Sequence, residues 1–241
     1  MRTSLNTFHK NNIHRALLLS CALTVLPNLA YGVQEIDITV NDGVTTTRTD
    51  TLTDISGEET TLGKYGAGTL ILNPSTANTY VGYTTIYEGT LALGNNNALP
   101  TATFLHPYTG LSLYLSIQLK AGTTLRADGN ITTPKGLALH GSATLDAQSY
   151  AFILNGYTYG NDPGYDLTLK GAGPITFGTT NFPVSWTTNQ LTGTLYVGDG
   201  VSTTTLILSA PAAIGSAPIR AKTGTTLRFG AGTYSMTIAS F

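Results

Sequence analysis

Apolar residues in this chain recur at every second position, in runs too short for a helix. Leu70 and Leu72, Leu91 and Leu93, and Leu206 and Leu208 form Leu-x-Leu steps, and Glu35–Val40 alternates strictly between polar and apolar. Alternation of period two is the pattern of a strand with one buried face. Thr69–Leu72, Tyr83–Tyr87 and Thr90–Leu93 are β-branched or aromatic runs fenced by Gly, Asn or Pro, and β-branched side chains favour a pleated surface. Short strands with a turn signal at every break predict an all-β stack. The inward positions are expected to be Leu70, Leu72, Leu91, Leu93, Leu125, Leu145, Leu154, Leu169, Leu195, Leu206, Leu208 and Leu227.

The pattern also repeats over a longer distance. Lys170-Gly171-Ala172-Gly173 echoes Lys64-Tyr65-Gly66-Ala67-Gly68, and Gly193 before Thr194–Val197 echoes Gly82 before Tyr83–Ile86. Thr205–Leu208 echoes Thr90–Leu93, and Gly224–Arg228 copies Gly122–Arg126. Drifting offsets between the copies are what a solenoid tolerates, because each rung touches only its neighbours and loops can grow on the rim. The reading is a degenerate internal repeat, 64–126 and 170–228, in which Arg126 and Arg228 form a structural ladder. Gly66, Gly68, Gly82, Gly89, Gly193 and Gly200 are expected at rung corners, where positive φ is cheap for glycine alone.

Within the first copy, Lys64, Gly66, Gly68, Thr69, Leu70, Asn78, Thr79, Tyr80, Gly82, Thr84, Gly89, Thr90 and Leu91 follow one another in a recognisable order. That order resembles the passenger-associated repeat of bacterial autotransporters: a Lys, a Gly-x-Gly-Thr-Leu step, an Asn-Thr-Tyr-x-Gly turn, then a Gly-Thr-Leu strand. The resemblance implies a right-handed parallel β-helix. At about 20–25 residues per rung, residues 33–241 make roughly nine rungs about 4.8 Å apart. It also implies a surface-exposed or secreted stalk or adhesin of a type V secretion system. Its partners would be an outer-membrane translocator barrel, in cis or separate, and host glycan or protein ligands. Such a barrel spans a few hundred residues and is not in the present sequence, which stops at Phe241 within the second copy.

Composition fits a sheet-built rod. Charged residues are 10% of the chain, far below the roughly 25% of an ordinary soluble domain. Tyr, at 13 residues, and the Leu pairs demand a core and argue against disorder. Residues 1–32 read as a signal peptide: Arg2, Lys10 and Arg15 precede the apolar run Ala16–Leu26, and Ala30-Tyr31-Gly32 supplies small residues for cleavage after Gly32. The rival is a lipoprotein box ending at Cys21, the sole cysteine. Residues 33–62 then form an N-terminal cap and first rungs, and 63–241 the passenger-type β-helix. Beyond Gly32, nine basic residues face 13 acidic ones, with no basic cluster to neutralise phosphate, so nucleic acid is not an expected partner.

Motifs of reaction chemistry are incomplete along the chain. Gly66-Ala67-Gly68 lacks the third glycine of a dinucleotide loop. Gly215-Ser216 continues as Ala-Pro rather than as a nucleophile elbow. Gly198-Asp199-Gly200 has no serine between its glycines. His106 and His140 stand in no metal-ligand spacing, and Asn161–Asp166 lacks the distal Glu of a calcium loop. Asp128, Asp146, Asp162 and Asp166 share no spacing that suits a polysaccharide lyase or hydrolase, the alternative activity for a β-helix. The expectation is no enzyme, no cofactor and no metal.

Overall fold

The computed structural model describes residues 33–54, 59–101, 103–105, 112–113, 116–160, 164–178, 191–209, 214, 217–230 and 238–240. The leader residues Cys21 and Gly32, and also His106, Asp162 and Phe241, lie outside these. Tyr31–Phe241 is one compact unit.

The described residues form 22 strands and no helix. They sort into three parallel sheets that the chain visits in turn, plus one short antiparallel pair. Sheet 1 stacks β1 (Val33–Thr39), β3 (Glu59–Tyr65), β5 (Thr84–Ile86), β9 (Ile117–Lys120), β12 (Leu137–His140) and β15 (Thr158–Gly160). Sheet 2 stacks β2 (Thr45–Arg48), β4 (Thr69–Leu72), β6 (Thr90–Leu93), β10 (Thr124–Ala127), β13 (Ala143–Asp146), β16 (Leu167–Lys170), β18 (Leu195–Val197), β20 (Ile219–Ala221) and β22 (Ile238–Ser240). Sheet 3 stacks β11 (Ile131–Thr133), β14 (Phe152–Leu154), β17 (Pro174–Phe177), β19 (Thr205–Leu208) and β21 (Thr226–Phe229). The antiparallel pair is β7 (Phe104–Leu105) with β8 (Ser112–Leu113). This is a parallel β-solenoid, and the nine strands of sheet 2 correspond to the roughly nine rungs expected.

Identical residues stack on both faces of sheet 2. Inward, Leu70, Leu91, Leu125, Leu145, Leu169 and Val197 align rung upon rung, all with no exposed surface. Outward, Thr45, Thr69, Thr90, Thr124, Thr144 and Thr168 align in the same way. Burying each leucine contributes about 1.5–3 kcal/mol, while the β-branched threonines pave the outer face without charge. Of the leucines expected inside, all are buried except Leu227, which is only partly covered and packs against the rim of the core. Sheet 3 begins at β11, after four strands of each of the other two sheets. Its open edge is capped where the Thr132 amide donates to Asn96 Oδ1 at 2.8 Å, one way of keeping a free edge from templating another chain.

The long repeat is displaced around the coil. Lys64 lies in sheet 1, whereas Lys170 ends a strand of sheet 2; Gly82 leads into sheet 1 and Gly193 into sheet 2. Thr90–Leu93 and Gly122–Arg126 belong to sheet 2, but Thr205–Leu208 and Thr226–Phe229 to sheet 3. Every second copy has moved one face on, because any corner needs glycine and any strand after it can use Thr-Leu-x-Leu. The expected Arg126–Arg228 ladder is therefore absent: Arg126 pairs with Ala92 and Asp146, and Arg228 with Ile207.

In urea unfolding, Leu145→Ala in mid-stack is expected to cost about 2–5 kcal/mol, whereas Leu227→Ala costs about 1 kcal/mol or less, since it vacates little buried volume. Equal losses would contradict the ladder.

Candidate functional site

The motif residues of 64–91 converge on two corners, and most of their polar atoms bond between coils. Lys64, the last residue but one of β3, faces inward and has no exposed surface. Its ammonium donates to three backbone carbonyls: Tyr65 at 3.0 Å and Gly66 at 2.5 Å on its own coil, and Glu88 at 2.9 Å on the next. Burial pushes the Lys64 pKa below the ordinary lysine value, with Glu88 opposing the shift. The three carbonyls satisfy a charge that would otherwise be expensive to bury.

Glycine is needed at this corner for two reasons. Gly66 and Gly89 do adopt positive φ, +75° and +66°. Gly68 and Gly82 do not, and they correct the expectation: each is glycine because the coil before it comes too close. A Cβ on Gly68 would lie 2.1 Å from the Asn41 carbonyl oxygen, and one on Gly82 2.4 Å from that of Thr60. Thr69, Leu70, Thr90 and Leu91 then open β4 and β6, with the leucines inward and the threonines outward.

Asn78 holds the opposite corner. It is buried, its Oδ1 accepts from the Leu52 amide at 2.7 Å and its Nδ2 donates to the Ala98 carbonyl at 2.8 Å. One side chain thus bridges the coil before and the coil after. The Thr79 amide donates to the Leu52 carbonyl at 2.9 Å. Tyr80, fully buried, shares a 2.6 Å hydrogen bond with Thr84 Oγ1, and burial raises its pKa. On the outer face of sheet 1, Tyr65 and Tyr87 stack with ring centroids 4.3 Å apart, and Lys120 Nζ stands 5.7 Å from the Tyr87 ring. That aromatic stack was not read from the sequence, although the register of Lys64 with Ile86 places the two tyrosines one above the other.

The corresponding residues of 170–200 do different work. Lys170 is part-exposed and sits 3.3 Å from Asp146 Oδ2 rather than in a carbonyl cage. Gly171 and Gly200 have positive φ. Gly173 and Gly193 are close-approach glycines, where a Cβ would lie 1.9 Å from the Tyr150 oxygen and 2.0 Å from that of Tyr165.

The described carboxylates of the alternative enzyme reading have structural partners. Asp128 binds Arg126 at 2.6 and 2.8 Å. Asp146 accepts from Gln148 at 2.9 and 2.7 Å, and Asp166 accepts from the Thr194 amide at 2.7 Å. His140 lies in β12 in register with Lys120. Among the described residues no group of His, Cys, Asp or Glu is placed to hold a metal. A second wholly buried lysine, Lys135, went unnoticed in the sequence; burial lowers its pKa to about 8.

The sequence model for the passenger-associated-transport-repeat matches residues 62–93, which run from within β3 to the end of β6 across two successive rungs. That match and the parallel solenoid together fit a passenger-type domain of an autotransporter. In this chain, Lys64 and Asn78 of the matched segment tie one coil to the next. No curated protein and no solved structure matches the chain.

Two measurements check this geometry. Asn78→Ala leaves the Leu52 amide and Ala98 carbonyl unpaired and is expected to cost about 2–5 kcal/mol, and Lys64→Met a comparable amount. Lys170→Met should cost about 1 kcal/mol or less, because Lys170 is part-exposed and the buried Asp146 keeps its two hydrogen bonds from Gln148; equal losses at 64 and 170 would overturn the distinction. Lys135 titrates near pH 8 folded and near 10.4 unfolded. The unfolded chain therefore binds more protons between those values, and stability gains about 1–3 kcal/mol as pH rises through that window; below it the cost of burying the charged ammonium is constant. A thermal-melt series should show that rise in the native chain and lose it in Lys135→Met.

Proposed function

We propose that this chain works outside the inner membrane as the exposed part of a type V secretion system, as a stalk or adhesin and not as an enzyme. The observation that carries the reading is the inter-coil clamp of residues 62–93 within a parallel solenoid. A rod of this kind extends by adding rungs and offers long uninterrupted faces for contact. Residues 1–32 would direct export, with cleavage after Gly32, and a translocator barrel, in cis or separate, would carry the passenger to the cell surface. Host glycans or proteins would be its ligands.

The non-enzymatic reading is supported by the carboxylates. Asp128, Asp146 and Asp166 already serve salt bridges and backbone amides, whereas a general acid and its partner need lone pairs turned to a substrate.

The test is to fuse residues 33–241 upstream of a type V translocator barrel and add protease to intact cells. Surface cleavage of the passenger is the expected result; a protected passenger beside a correctly inserted barrel would contradict the proposal. A reducing-sugar assay of the purified chain on pectin and polygalacturonate should show no release, and measurable turnover would favour the β-helix lyase or hydrolase instead.

A further inference from the structure

The outer column at the end of sheet 2 carries charge until one position removes the side chain. Register stacks Arg126, Asp146 and Lys170 on successive rungs. The next two rungs continue past the paired Val197 and Ala221 to Gly198 and Lys222. Gly198 holds φ at +95° and bonds its amide to the Leu169 carbonyl at 2.8 Å, so the column keeps its backbone pairing and loses only its side chain. Lys170 and Lys222 are thereby left two rungs, about 10 Å, apart.

A cleft of about 410 Å³ opens there, lined by Thr168, Tyr196, Gly198, Asp199 and Lys222. A second, of about 300 Å³, adjoins it and shares Asp199, with Asp146, Lys170 and Ser202 in its wall. Together they run along the solenoid axis over four rungs, within the usual 300–1,000 Å³ of a ligand site. Asp199 is fixed in place: its Oδ1 accepts from the Val201 and Ser202 amides at 2.8 and 2.7 Å. These donors hold its pKa below the usual carboxylate value. Lys222 donates to the Asp199 carbonyl at 3.2 Å.

The lining selects a chemical class. Within the lining two carboxylates balance two ammonium groups, which leaves the groove itself near neutral, and the exposed Arg220, in register with Tyr196, stands one rung beyond. It has no continuous apolar floor for a lipid or a hydrophobic peptide. The strands beneath are paired on both sides, which excludes addition of a peptide strand. What remains is an aromatic ring, a hydroxyl, and alternating donors and acceptors along a line. A neutral sugar chain matches these, since each ring presents a C–H face for stacking and a rim of hydroxyls that both donate and accept.

We infer that this groove binds a neutral oligosaccharide, laid along the axis with one ring on Tyr196 and its hydroxyls on Asp199, Lys222 and Lys170. The inference rests on the adhesin reading above and names its ligand class. An open polar groove binds weakly, and affinity at a surface comes from many copies acting together.

The experiment is an amide chemical-shift titration of the purified chain with maltotriose, cellotriose and chitotriose, alongside trigalacturonate. Saturable shifts at Thr168, Gly198 and Asp199 with at least one neutral trisaccharide are expected. They should weaken at least tenfold in Tyr196→Ala, persist in Tyr196→Phe, which keeps the ring, and be unchanged in Tyr157→Ala, an exposed tyrosine elsewhere. Lys222→Ala, whose side chain is peripheral to the core, gives an independent loss of binding. No saturable shift with any neutral trisaccharide, salt-sensitive preference for trigalacturonate, or equal binding by Tyr196→Ala would each overturn the inference. Surface cleavage of the passenger is scored without sugar, so an exposed passenger that binds none refutes the ligand and leaves the export reading standing.

Discussion

Parallel rungs stacked about 4.8 Å apart impose one constraint from which most of this molecule follows: at each corner the backbone of one coil must meet the backbone of the next. In a strand the ladder pairing is automatic. At a corner the chain turns, and its amides and carbonyls still need partners, because a buried unpaired polar group costs about 1–3 kcal/mol. The corners here meet that demand by keeping the ladder going through the bend. Gly68 donates to Val40, Thr90 to Gly68, Gly82 to Thr60 and Gly94 to Leu72, each across one coil. Backbones that close leave no space for a Cβ at Gly68 or Gly82.

Side chains add further donors at the bends, even to the Tyr65 carbonyl, which also accepts the Val40 amide at 3.0 Å. The Lys64 ammonium takes three at once, and Asn78 takes one and supplies an acceptor to an amide on the other side. Both link a coil to its neighbour and both lie among the residues that define the family's repeat. The signature therefore records the needs of stacking rather than the shape of a binding site. The outer faces are free of that demand, and strand register there lines up Thr, Tyr, Lys and Asp without disturbing the core.

The sequence made the architecture legible because the ladder writes itself into period two. Leu70/Leu72 and Leu91/Leu93 could be placed inside before any coordinates, and the strands Thr69–Leu72 and Thr90–Leu93 have the bounds expected. The roles at the corners were only half legible. Glycine at 68 looks like glycine at 66, but one answers to a neighbouring carbonyl and the other to its own φ. The long repeat misled for a related reason: Lys-Gly-Ala-Gly at 170–173 satisfies corner chemistry on a different face, so likeness of residues did not carry equality of position. The groove was invisible, since it depends on Gly198 falling in register between Lys170 and Lys222, and register follows from loop lengths that vary from coil to coil.

The corner ladder can be tested directly by site-resolved hydrogen exchange in the native chain. If the backbone pairing runs unbroken through the bends, the amides of Gly68, Gly82 and Gly94 exchange as slowly as those of Leu70, Leu91 and Leu125 in the strands beside them. Corner amides that exchange orders of magnitude faster than the strands would show the bends to be ordinary loops, and the clamp built on Lys64 and Asn78 would lose its foundation.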